Sequence, residues 1–72
     1  MNEAVISALA HLAKRGVNNE VRLEAIRSLA IYRTHPQAAE ALIYLAERCT
    51  IHEISIEAIK VLGGQYDILE ND

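Results

Sequence analysis

Val21-Arg22-Leu23-Glu24-Ala25-Ile26-Arg27-Ser28-Leu29 is matched a second time in this chain by Ile54-Ser55-Ile56-Glu57-Ala58-Ile59-Lys60-Val61-Leu62, 33 residues later. Four of the nine positions are identical, and three more keep their chemistry as Val/Ile, Leu/Ile and Arg/Lys. The same offset holds upstream, where Ala8, Leu9, Leu12, Ala13, Arg15 and Glu20 fall on Ala41, Leu42, Leu45, Ala46, Arg48 and Glu53. A period near 33 is that of stacked helix pairs, each unit burying its apolar face on the next. The sequence therefore predicts an all-α fold of two tandem helix pairs, a four-helix solenoid fragment.

The local signals agree with that division. In residues 2–15, Ala4, Val5, Ala8, Leu9, Leu12 and Ala13 line one face of a 3.6-residue helix. Asn2 is suited to cap it, Lys14 and Arg15 suit its negative end, and Gly16 is expected to close it in the left-handed conformation. Asn18 or Asn19 caps a second helix running to about Arg33, with Val21, Ala25 and Leu29 as its stripe and Leu23, Ile26, Ala30 and Ile31 widening it. Thr34-His35-Pro36 ends that helix, His35 leads into the next, and Pro36 suits its first position. The third helix runs to about Arg48, its alanines allowing close approach to the first helix. Thr50-Ile51-His52-Glu53 reads as a capping box for a fourth helix, which Gly63-Gly64 terminates after Leu62. Residues 1–64 thus form two units, about 2–33 and 35–64, followed by an acidic tail, 65–72.

Composition sets limits on function. The chain has 72 residues, of which 51% are hydrophobic and 24% charged, with no Trp or Phe. It is one small domain with an aliphatic core, burying only roughly 60% of the surface its unfolded chain exposes. A net charge of −3 argues against nucleic acid as a partner. The single Cys49 cannot close an intramolecular disulfide, no apolar run reaches membrane-spanning length, and no signal peptide is evident. A cytoplasmic location is expected.

An Ala-rich helix, a turn with Asn18-Asn19-Glu20, and then Val-Arg-x-Glu-Ala-x-x-x-Leu together resemble HEAT repeats, in particular the short bacterial kind related to phycobilisome-lyase repeats. Leu62-Gly63 is similar to the Leu-Gly that closes such second helices, and the resemblance covers residues 4–64. The chain departs from the family at Ser55, which stands in the place of Arg22, and at the turn Asp, replaced by Asn18 or Asn19 and by Ile51 or His52. Tetratricopeptide pairs have nearly the same period, but the distance from Gly16 to Ala25 is too long for them and their early aromatic is missing. The resemblance implies a protein-binding module or adaptor. Its second helices would line the binding side, which points to Arg22, Glu24, Arg27, Glu57 and Lys60 as partner-contacting residues.

No catalytic, cofactor or metal site is expected. Glu20, Glu24, Glu53 and Glu57 form two i,i+4 carboxylate pairs, expected on a solvated face. HEAT-like deoxyhypusine hydroxylases hold iron with His-Glu dipeptides at this part of the second helix, but Leu23 and Ile56 occupy the His positions here. His52-Glu53 has no counterpart in the first unit, where Asn19-Glu20 stands. Cys49 near His52 lacks the base geometry and oxyanion donors of a nucleophile and reads as a packed helix-end residue. His11 and Tyr44 share one half-exposed slot.

Charge is unevenly distributed. Residues 1–36 carry five basic and three acidic side chains, a net +2, and residues 37–72 carry two and seven, a net −5. Complementary ends could join head to tail or dock a charged partner. Repeat arrays also need about three units to cover their faces. Ile54, Ile56, Ile59 and Val61 are expected on the open side of the fourth helix, to be covered by Tyr66, Ile68 and Leu69 folding back or by a second chain in a homodimer. The alternative to an adaptor is an acidic inhibitor that occludes a basic site on a nuclease, toxin or effector with Glu53, Glu57, Asp67, Glu70 and Asp72.

Overall fold

The computed structural model describes residues 3–67, and these residues are all-helical. Helix α1 spans Glu3–Arg15, α2 Asn19–Ser28, α3 Pro36–Arg48 and α4 His52–Leu62, and a short 3-10 helix, Leu29–Tyr32, continues α2. Each helix packs on two others: α1 on α2, α3 on α4, and then α1 on α3 and α2 on α4. Two helix hairpins therefore lie side by side.

The helix starts have identifiable causes. The Oδ1 atom of Asn18 accepts the Val21 N–H at 2.8 Å and so caps α2, while Nδ1 of His35 accepts the Gln37 N–H at 3.2 Å ahead of Pro36 in the first turn of α3. Asn2, expected to cap α1, lies outside the described residues. Thr50 was expected to cap α4, but the N-cap is Ile51, without a side-chain hydrogen bond. Ile51 packs against the core, and that anchor draws the chain one residue further before the helix begins. Helix α4 ends as a Schellman motif, with the Gln65 N–H on the Lys60 carbonyl at 3.0 Å, the Gly64 N–H on the Val61 carbonyl at 3.1 Å, and Gly64 at φ +84°.

Gly16 closes α1 for a different reason than the one expected. Its φ is not in the left-handed region; among the described glycines only Gly64 is there. A side chain at Gly16 would sit 2.7 Å from the Leu12 carbonyl oxygen and 2.9 Å from a Val21 methyl. Crowding by the Leu12 carbonyl of α1 and by the approaching α2, and not backbone handedness, requires the glycine.

The core is aliphatic. Ile6, Ile26, Leu29, Leu42, Leu45, Ile54 and Val61 are its largest fully buried side chains, each contributing about 1.5–3 kcal/mol by leaving water. Ala10, Ala13, Ala38 and Ala41 are buried too, letting α1 and α3 approach closely. Four expectations about faces are corrected. In α1 the buried face is Ile6, Ala10 and Ala13, while Ala4, Val5, Ala8 and Leu12 of the expected stripe are exposed. Ile54 and Val61, expected on the open side of α4, are 0% exposed, because α4 packs on α2 as well as α3. Ile31, expected in the α2 stripe, is 73% exposed. The helix tightens to a 3-10 turn from Leu29, and at about 120° per residue Ile31 rotates away once Leu29 and Ala30 have entered the core. Glu57, expected on a solvated face, is buried.

Candidate interaction surface

The five residues expected to contact a partner have three different environments. Arg22 is half-buried and turns back toward the end of α1, its Nε donating to the Ala13 carbonyl at 2.9 Å and its Nη2 to Cys49 Sγ at 3.8 Å. That carbonyl belongs to the last turn of α1, where the helix itself supplies no donor. Ser55, at the matching place on α4, donates from Oγ to the Ala46 carbonyl in the last turn of α3, also at 2.9 Å. The departure from Arg to Ser thus keeps the hydrogen bond to the preceding helix and loses the charge and the reach to a second partner.

Arg27 and Glu57 face each other between α2 and α4, with Arg27 Nε 3.1 Å from Glu57 Oε2. The Tyr66 hydroxyl donates to the same carboxylate oxygen. Burial pushes the Glu57 carboxyl up, but the hydrogen bonds from Tyr66 and Arg27, with the charges of Arg27 and Lys60, outweigh it and hold its pKa below the ordinary value. The hydrogen bond to Glu57 in turn raises the Tyr66 pKa. These three side chains join α2, α4 and the segment after α4, so Arg27 and Glu57 already have structural work within the chain. Glu24 and Lys60 do not share it to the same degree: Glu24 is exposed, 3.6 Å from Arg27, and Lys60 is half-buried.

A second clasp lies nearby. Arg33 donates from Nε and Nη2 to the two Asp67 oxygens at 3.0 and 2.7 Å, and from Nη1 to the Leu62 carbonyl at 3.3 Å. The Arg33 hydrogen bonds hold the Asp67 carboxyl below its usual range. Of the carboxylates named for an acidic inhibitor, Glu53 is exposed, Glu57 and Asp67 are engaged inside the chain, and Glu70 and Asp72 lie outside the described residues. Ile68 and Leu69, expected to help cover α4, lie outside them too, whereas Tyr66 does pack back on the core.

A groove of about 560 Å³ opens at the ends of α1 and α3. Lys14, Arg15, Arg22 and Arg48 line it, with Glu40 as its only carboxylate and Cys49 and Tyr44 in its wall. Lys14, Arg15 and Arg48 occupy the last turns of their helices, where the helix dipole favours cations. Lys14 is 3.4 Å from Glu40 and stands over the Tyr44 ring, 5.1 Å from its centre. Arg15 and Arg48 are exposed and form no ion pair among the described residues. Sequence reasoning placed only Arg22 of these residues at a contact surface. The available signal was the 33-residue spacing of Arg15 and Arg48, which puts two arginines at equivalent helix ends.

Among the described residues, no helix is long and apolar enough to cross a membrane. Compared with protein-family models, curated proteins and solved structures, the chain matches none.

Proposed function

We propose that the two hairpins are HEAT-like repeats of period 33 and that the chain is a cytoplasmic binding module, not an enzyme. Three correspondences support the repeat. Helices α1 and α3 end at Arg15 and Arg48, helices α2 and α4 begin at Asn19 and His52, and the Arg22–Ala13 and Ser55–Ala46 hydrogen bonds occupy the same places in their hairpins. Each spacing is 33 residues.

The observation that carries the binding function is the groove at the ends of α1 and α3, where four cationic side chains face one carboxylate in a chain of net charge −3. Concentrating positive charge there, against the overall sign, sets up a local field that attracts an acidic segment. The partner is an acidic stretch of another protein, with Arg15 and Arg48 supplying forked donors for its carboxylates. Arg22 is part of this surface but is fixed by Ala13 and Cys49.

A titration tests this directly. A Glu-rich peptide is expected to bind the protein more weakly as salt rises, and Arg15→Glu or Arg48→Glu should each weaken it on the order of tenfold. Unchanged affinity in both variants would remove the groove as the site. Tighter binding of a short oligonucleotide than of the peptide would overturn the choice of partner.

A further inference from the structure

We infer that copies of this chain stack head to tail, each joint repeating the contact that already holds the two hairpins together. The inference rests on reading the hairpins as equivalent units. A cleft of about 310 Å³ opens on the free side of α1 and α2, lined by Leu9, Leu12, Val21, Glu24, Ala25 and Ser28. Adding 33 to each number gives Leu42, Leu45, Ile54, Glu57, Ala58 and Val61, and all six are buried. The cleft is therefore the same seat that the first hairpin covers on the second, left open.

The side that would fill the seat is open as well. Leu23 and Ile26 are 9% and 0% exposed, whereas their equivalents Ile56 and Ile59 are 50% and 54% exposed. Ile43, the equivalent of the buried Ala10, is 45% exposed. Among the described residues, about half of each of these three side chains stays exposed and the cleft stays open. Each free face thus carries one half of the internal interface.

Charge selects a second copy as the occupant. Across the internal interface Arg27 pairs with Glu57 at 3.1 Å. Moving Arg27 forward by 33 gives Lys60, and moving Glu57 back by 33 gives Glu24, so both signs are preserved on the open faces. Stacking by the same step places Lys60 of one copy against Glu24 of the next and lowers Ile59 into the cleft, as Ile26 is lowered within the chain. Because the two faces differ, the contact is heterologous and propagates instead of closing on a twofold axis.

Sedimentation equilibrium across a wide concentration range tests the inference. The average mass is expected to rise past that of two copies. Glu24→Lys and Lys60→Glu should each weaken association on the order of tenfold by setting like charges together. An equimolar mixture of the two variants should recover it, since every joint then pairs unlike charges in alternating copies. Glu24 is exposed, so thermal unfolding of Glu24→Lys should be little changed. Lys60→Glu sets a second carboxylate near Glu57 and should lower the unfolding temperature modestly, and peptide binding at the groove should be retained in both variants. A mass that stays at one copy, a mass that stops at two, or charge variants that associate like the parent would each overturn stacking. Retained peptide binding in such a case leaves the groove proposal standing, while loss of peptide affinity on groove substitution with stacking intact separates the two in the other direction.

Discussion

Glu57 shows how one side chain can be identified by sequence and still be misplaced by it. Its recurrence with Glu24 at a 33-residue spacing was legible, but burial depends on what lies across the helix, and only the second copy of the position has a hairpin covering it. The consequence is a pH dependence. Its folded pKa is depressed by Tyr66 and Arg27, so the folded state binds the proton less readily than the unfolded chain. The stabilisation is then fully present above the unfolded value, about 4.3, and is lost as pH falls through the depressed folded value. Asp67, depressed by Arg33, acts in the same direction. Glu57→Gln should lower stability at neutral pH by about 1–2 kcal/mol, the scale of charge-assisted hydrogen bonds to a partly exposed partner. Denaturant titrations at a series of pH values should show the parent and variant curves converging in acid. A constant difference down to acid pH would mean that the charge of Glu57 contributes nothing.

At the scale of elements, the helix boundaries were largely readable because capping and breaking chemistry is local. Asn18, Pro36 and Gly63-Gly64 sit where their backbone preferences place them. The failures occurred where tertiary contact overrode local preference. Thr50 satisfies a capping pattern, yet the packing of Ile51 moves the N-cap off it, and crowding by the Leu12 carbonyl and Val21 decides Gly16. The two turns therefore respond differently to substitution. Asn18→Ala should cost about 1 kcal/mol by removing the acceptor for the Val21 N–H. Thr50→Ala should change stability by less than about 0.5 kcal/mol. Equal losses in thermal or chemical unfolding would return Thr50 to the capping role and contradict the structure.

For the molecule as a whole, the 33-residue offset made the all-helical organisation legible, and the apolar stripes marked the core side of α2 and α3 but not of α1, where Ile6 and Ala10 are buried instead. Periodicity could not say which flank of a stripe is covered. Ile54, Ile56, Ile59 and Val61 look alike in sequence, but the first and last face the other hairpin and the middle two do not. Nor could it place the groove, since Lys14, Arg15, Arg22 and Arg48 converge only when the two hairpins lie side by side. Arg22 was the one residue of the expected contact face that reached this groove. Arg27 and Glu57 join α2 to α4, and in the proposed stacking Glu24 and Lys60 take the corresponding positions between copies. Equal hairpins that stack by one repeated step are the centre of this view of the molecule, and a cross-link across the joint examines that step itself. With Cys49 replaced by Ala, variants Glu24→Cys and Lys60→Cys are treated with a short bifunctional thiol reagent, separately and mixed. Stacking predicts linked pairs in the mixture, joining position 24 of one copy to position 60 of another, and little linkage in either variant alone. Efficient linkage of position 24 to 24 or 60 to 60 would show a twofold contact and contradict it, as would no linkage in the mixture.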